Sequence, residues 1–257
     1  MVSQKKLEGP TVSEDGAELQ FAGLISHELR TPLYIIREAM TAVISDQSVT
    51  SQEKGKLLSL VDRNTDRLIN LVEKLLLFVR LGQPQTDASS AGGKGDVINV
   101  REMVHSTIQS LETPGKEPLS AVEVSIAKDV PERLQVCGDS LLVEQALANL
   151  LANAFQYGHS ASASKCPAVT LIVHTASRGS SVVFEVVDHG EGIPYEEQEP
   201  LFRVFYRGQS GRMKRPGGLG LGLSLTRLMI ESLKGKIGFR STPGDGSTFW
   251  FSLDTGK

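Results

Sequence analysis

Ser26-His27-Glu28-Leu29-Arg30-Thr31-Pro32-Leu33 sets a histidine on the outer side of a helix whose other positions are apolar. Around it, Ala22, Ile25, Leu29, Leu33, Ile36, Met40 and Val43 recur every three or four residues, the spacing of one buried helical stripe. At roughly 100° per residue, His27 lies two steps from both Ile25 and Leu29, so it faces solvent when they face a core. An exposed imidazole titrates near neutrality and offers a nucleophilic nitrogen. Glu28 stands beside it to orient the ring or accept its proton.

Outward from this segment, a first helix is expected from about Asp15 to Ser45, kinked by Pro32, which lacks a backbone donor and clashes with the preceding turn. Asp46 to Val49 reads as a turn. Thr50 and Glu53 have the spacing of a capping box that opens a second helix. That helix carries Leu57, Val61, Asn64, Leu68, Leu71, Leu75 and Phe78, flanked by Leu58, Thr65, Val72 and Val79. Its steps alternate between four and three, the period of a bundle helix. Two helices cannot bury stripes this wide against each other alone. The expectation is a helical hairpin that forms a dimeric four-helix bundle.

From Gly82 to Gly95, GQPQTDASSAGGKG is nearly free of apolar residues and reads as a flexible linker with a reach of roughly 20 Å. Beyond Asp96 the pattern is mixed. Strands are expected at Val122 to Ile126, Val169 to His174, Val182 to Val187, Ile237 to Arg240 and Thr248 to Leu253, with helices at Val100 to Leu111, Ser140 to Tyr157 and Leu221 to Leu233. Strands in one sheet with helices over one face make an α/β sandwich. The organisation is thus a polar tail (1–14), a helical hairpin (15–81), a linker (82–95) and an α/β domain (96–257).

A chain of 257 residues is long enough for two domains. A net charge of −3 leaves no electrostatic footprint for nucleic acid. Cys137 and Cys166 lie far apart without histidines at metal-ligand spacing, which favours reduced intracellular thiols over a disulfide or a zinc site. No apolar run approaches membrane-spanning length, and the polar opening from Met1 to Gly16 is no signal peptide. The expected location is cytoplasmic. Any sensing part across a membrane lies outside this chain.

Three segments of the α/β region carry residues that a simple core would not select. Asn149 and Asn153 are four apart on one helical face, although asparagine is a middling helix former. Asp188-His189-Gly190-Glu191-Gly192-Ile193 ends a strand with an acid and a loop whose glycines let backbone approach a ligand. Gly217-Gly218-Leu219-Gly220-Leu221-Gly222-Leu223 opens a helix, where clustered N–H groups can hold phosphate.

Taken in order, these motifs closely resemble those of the sensor histidine kinases of two-component systems. That family joins a dimerisation domain bearing the phosphorylated histidine to a catalytic domain with the Bergerat ATP-binding fold. The resemblance covers about Ala17 to Leu253. His27, Glu28, Arg30, Thr31 and Pro32 resemble the H box, and Asn149 through Tyr157 the N box. Asp188 to Ile193 resembles the first glycine box, Phe202 to Tyr206 the F box, and Gly217 to Leu223 the second glycine box. Gly246-Ser247-Thr248-Phe249 resembles the closing segment beside adenine.

The resemblance implies roles. Asn153 would ligand Mg²⁺ at the phosphates of ATP, with Asn149 supporting that site. Asp188 would accept the adenine amino group, Tyr157 would pack near the base, and Thr248 would line the adenine pocket. Gly190, Gly192, Ile193, Phe202, Gly218, Leu219, Gly220, Leu221 and Gly222 would complete the nucleotide site. Tyr206 to Pro216 would be an ATP lid, with Arg212, Lys214 and Arg215 available for phosphate. Gln156 departs from the family pattern, which has lysine there, and so removes a cation near the phosphates.

The implied activity is autophosphorylation of His27 from Mg-ATP, then transfer to an aspartate of a response-regulator receiver domain. Thr31, one turn from His27, would position a water for a phosphatase reaction. The implied assembly is a homodimer through the hairpin. Two alternatives differ in chemistry. An ATP hydrolase of the same superfamily needs a glutamate base where this chain has Asn149, and asparagine cannot serve as that base. A degenerate, non-catalytic scaffold would draw its support from Gln156.

Overall fold

The computed structural model describes residues 14–45, 50–82, 96–111, 122–128, 130–157, 169–176, 179–209 and 219–255. The expected polar tail, the turn at Asp46 to Val49, nearly all of the linker and most of the lid lie outside the described residues. The chain divides into two compact units, with the division inside the second helix between Leu75 and Leu76.

The first unit is a helical hairpin of α1 (Glu14–Ser45) and α2 (Ser51–Gly82). Helix α1 runs unbroken through Pro32. Its buried positions are Pro32 and Ala39, with Ile25, Leu29, Ile36, Met40 and Val43 half-buried. Leu33 and Ala22, both expected in the stripe, are exposed, Leu33 by 54%. The face turned to α2 is centred on Pro32 and Ala39, seven residues apart, and Leu33 sits about 100° to one side.

The expected capping box opens α2. The Thr50 backbone N–H donates to Glu53 Oε2 at 2.8 Å, and the Glu53 N–H donates to Thr50 Oγ1 at 3.3 Å. In α2 the stripe through Leu57, Asn64, Leu68 and Leu71 faces inward, with Asn64 7% exposed. The flank of Leu58, Thr65, Val72 and Val79 is exposed. The last turns of α2 belong to the second unit, where Leu77, Phe78 and Leu81 pack against its core.

The second unit contains β1 (Asp96–Asn99), α3 (Val100–Leu111), β2 (Val122–Ile126), β3 (Gln135–Gly138), α4 (Ser140–Tyr157), β4 (Val169–Thr175), β5 (Ser181–Asp188), α5 (Tyr195–Gln198), α6 (Gly222–Ser232), β6 (Lys236–Ser241) and β7 (Ser247–Asp254). Two of the helix starts are dictated locally. Asn99 Oδ1 accepts the Arg101 and Glu102 N–H groups, and Asp139 Oδ1 those of Leu141 and Leu142, so both helices begin at N-caps.

Five strands form one sheet in the order β2-β4-β5-β7-β6, with β2 parallel to β4 and the remaining pairs antiparallel. A separate antiparallel pair, β1-β3, went unread in the sequence because each strand spans four residues with a single buried side chain. Strict alternation on β5 and β7 sends Val182, Phe184, Val186 and Asp188, with Ser247, Phe249, Phe251 and Leu253, to one face. That face carries the core, with Phe184 stacked on Phe251 at 4.6 Å between centroids. Leu147, Leu150 and Leu151 of α4 are fully buried in the same core. Helices over one sheet face thus place the polar residues of α4 and the end of β5 in one region.

Candidate functional site

On the hairpin, His27 is 76% exposed and Glu28 only 13%. His27 Nδ1 lies 3.8 Å from Glu28 Oε1, beyond hydrogen-bond length but close enough to pair when the ring is charged. The other carboxylate oxygen, Oε2, receives Arg67 Nη2 of α2 at 3.2 Å. Among the described residues, nothing hydrogen-bonds the His27 ring, so Nε2 is available as a nucleophile. The Thr31 hydroxyl donates to the His27 carbonyl at 3.2 Å. His27, Arg30, Thr31, Tyr34 and Ile35 line an open depression. The sequence reading missed Arg67. Its signal was a long cation flanking the inner stripe, between Asn64 and Leu68.

In the second unit, the two asparagines of α4 are used differently. Asn149 Nδ2 donates to Thr226 Oγ1 of α6 at 2.6 Å, and the Thr226 hydroxyl lies 2.9 Å from the Gly222 carbonyl. Thr226 is fully buried and was not anticipated. Asn153, one turn on and half-buried, makes no side-chain hydrogen bond among the described residues, so its amide oxygen is free to serve as a ligand. Gln156 Nε2 donates to the Tyr157 hydroxyl at 2.9 Å.

Asp188, 5% exposed, ends β5 on the core face, and its Oδ1 accepts the Gly190 N–H at 3.0 Å. Such a bond fixes the orientation of the carboxylate. The loop that follows is held in shape by its neighbours. Gly192 has φ +65, and a Cβ there would lie 2.1 Å from the Thr242 carbonyl oxygen. Ser241 Oγ accepts the Ile193 N–H at 2.9 Å, and Gln198 Nε2 donates to the Ile193 carbonyl at 2.9 Å.

Across the sheet, Asp188 pairs with Ser247, not Thr248. Alternation turns Thr248, paired with Val187, to the face opposite the core, while Ser247 is 7% exposed beside Asp188. The Phe202 ring packs on Phe239 at 6.0 Å between centroids and against the core.

The residues flanking the segment expected to be a lid are joined, since the Phe205 N–H donates to the Gly220 carbonyl at 3.2 Å. Both residues have positive φ, 65° for Phe205 and 66° for Gly220. A Cβ at Gly220 would lie 2.6 Å from the Tyr206 carbonyl oxygen, so this contact requires glycine. Leu219 and Leu221 are buried, and Gly222 begins α6 against the Asn149 amide. Arg212, Lys214, Arg215 and Gly218 lie outside the described residues.

No cluster of three or more His, Cys, Asp or Glu among the described residues could hold a metal by itself. The unengaged amide oxygen of Asn153 nonetheless suits Mg²⁺, a hard cation that takes few protein ligands when phosphates and waters supply the rest.

Two family models match. Residues 17–84 match the His Kinase A (phospho-acceptor) domain, and residues 138–257 the histidine kinase-, DNA gyrase B- and HSP90-like ATPase. The sensor-like histidine kinase SenX3 of Mycobacterium tuberculosis is 30% identical over 245 residues, covering 93% of this chain and 54% of SenX3. The chain thus spans about half the length of that relative. Two solved structures share the fold. Full-length ShkA in complex with AMPPNP superposes with a TM-score of 0.60 at 24% identity, covering 92% of this chain and 46% of ShkA. Histidine kinase ThkA in complex with the response regulator TrrA gives 0.61 at 19%, covering 92% of this chain and 61% of the other.

Proposed function

We propose, from the fact that this chain belongs to the sensor histidine kinases and joins a phosphoacceptor domain to a Bergerat-fold ATPase domain, that it autophosphorylates His27 from ATP. The observation that carries the reading is the exposed His27 ring, with its Nδ1 toward the half-buried Glu28 and its Nε2 unengaged. In the proposed step Nε2 attacks the γ-phosphorus, an N–P bond forms and the P–O bond to departing ADP breaks. The Nδ1 proton is held by, or passes to, Glu28. Bound Mg²⁺ supplies charge neutralisation at the phosphates. The protein's part is largely positioning. Asn153 offers an amide oxygen at the phosphates, Asn149 ties α4 to α6, and buried Asp188, with Ser247 beside it, recognises the base.

The phosphoryl group is proposed to pass from His27 to a receiver-domain aspartate of a response regulator. ThkA, which shares the fold, was solved with such a partner. Homodimerisation is proposed through the exposed apolar side chains of the hairpin, among them Leu33, Ile44, Leu58, Ile69 and Val72. A phosphatase reaction is proposed at the same site. The Thr31 hydroxyl proton is directed to the His27 carbonyl, which leaves its oxygen lone pairs to align a water.

Incubation with γ-labelled ATP tests the central reading. Acid-labile label should map to His27 and vanish in His27→Gln, while ATP binding stays near that of the unmodified chain. Label that persists in His27→Gln overturns the assignment.

A further inference from the structure

Glu28 is the withdrawn member of its pair with His27, 13% exposed against 76%. A carboxylate pulled from water needs a fixed donor, or it swings outward or takes up a proton. The donor comes from the other helix. Arg67 on α2, thirty-nine residues away in sequence, places Nη2 3.2 Å from Glu28 Oε2. On α1 itself, Arg37 is engaged elsewhere: it pairs with Glu38 and covers the Tyr34 ring. Apart from His27, Arg67 is the one cation paired with Glu28 among the described residues.

The contact is one-sided. A guanidinium can grip both carboxylate oxygens, but here it takes Oε2 and leaves Oε1, the oxygen that faces His27 Nδ1 at 3.8 Å. A negative charge held nearer one ring nitrogen than the other favours the proton on that nitrogen electrostatically, even at a distance beyond hydrogen-bond length. Resting on the proposed phosphotransfer to His27, we infer that Arg67 is a positioning residue: it holds Glu28 so that the imidazole proton stays on Nδ1 and the Nε2 lone pair is presented to phosphorus. Arg67 therefore acts only through Glu28. Guanidinium stays charged throughout the pH range of the reaction, so the restraint does not titrate away.

The test uses the full chain with Arg67→Met, which keeps an apolar stem, Arg67→Lys, Glu28→Gln and the Glu28→Gln/Arg67→Met double variant. Rates of His27 labelling and the KM for ATP are measured, and ¹⁵N spectra of the His27 ring are recorded without nucleotide at alkaline pH. Arg67→Met should slow labelling about ten- to a hundred-fold, within the range a positioned acid or base contributes, at unchanged KM. It should also move the proton from Nδ1 to Nε2, and Arg67→Lys should restore most of both. In the Glu28→Gln background Arg67→Met should change the rate less than about two-fold, since residues acting as one unit are not additive. An equal loss in both backgrounds overturns the inference. So does a proton on Nε2 in the unmodified chain, which is read without ATP and without any variant. Absence of label on the unmodified chain overturns the phosphotransfer reading instead.

Discussion

Asn149 and Thr226 join α4 to α6 through a 2.6 Å hydrogen bond between a half-buried amide and a fully buried hydroxyl. The Gly222 carbonyl lies within reach of the same hydroxyl at 2.9 Å, so the start of the glycine-rich helix and the asparagine helix share one polar junction.

Thr226→Val keeps the shape and removes the hydroxyl. It should cost about 1 kcal/mol of stability, the usual net worth of one hydrogen bond plus part of an unsatisfied donor. Thr226→Ser should cost less, because it can remake the bond. Urea unfolding of the isolated chain reads both, and equal midpoints for Val and Ser would show the bond to be dispensable.

Asp188→Asn retains an oxygen for the Gly190 N–H and so preserves the loop, but it removes the charge at the end of β5. ATP affinity should fall about ten- to a hundred-fold, the equivalent of a charge-assisted hydrogen bond at about 1.5–3 kcal/mol. Calorimetric titration measures this. The circular-dichroism spectrum should not change.

Asn153→Ala should lose the Mg²⁺-dependent part of ATP binding while leaving hairpin association intact, because Asn153 lies in the second unit. Titrations with and without Mg²⁺, alongside sedimentation, separate the two effects. An unchanged Mg²⁺ dependence would remove Asn153 from the site.

Gln156, where the resemblance drawn from the sequence implies a lysine, donates to the neighbouring Tyr157 hydroxyl. Gln156→Lys should tighten ATP binding more than ADP binding, since an added charge would meet the outer phosphates. If Arg212, Lys214 and Arg215 already compensate, the change will be small and their triple-alanine variant will be unusually damaging. Indifference to both variants would exclude a phosphate-facing role for either segment.

Gly246→Ala should disrupt the corner that holds Asp188. Gly246 has φ +78, and a Cβ there would sit 2.1 Å from the Asp188 carbonyl oxygen. Backbone strain and steric displacement together should cost more than about 2 kcal/mol, visible as a lower thermal midpoint. Gly244, with φ +88 and open space around it, should lose less on the same substitution.

Elements with strong local signals were readable from sequence. Helices α3 and α4 begin and end where the pattern placed them, because Asn99 and Asp139 cap them and their apolar periods are regular. The exposure of His27 was readable from helical phase, while its candidacy rested on the motifs that follow it in the chain. What escaped depends on partners far along the chain. Arg67 and Thr226 are an ordinary cation and an ordinary hydroxyl until folding sets them against Glu28 and Asn149. The register that pairs Asp188 with Ser247 is not written in either strand by itself. Leu33 was assigned inward because a stripe read from one helix cannot say which edge its partner covers. Strands β1 and β3 and helix α5, four residues each, are shorter than any period they would display.

The hydrogen bond between Phe205 and Gly220 has a bearing on how this kind of domain diversifies. Lengthening a stretch whose two ends are already clasped by the fold adds a closure entropy that rises by only about 0.6 kcal/mol for each doubling of length. Residues inserted between 210 and 218 should therefore leave the unfolding free energy almost unchanged, while Gly220→Ala, which forces the clasp apart, should not. Length in that segment is thus a cheap variable, whereas the two residues at its base are not.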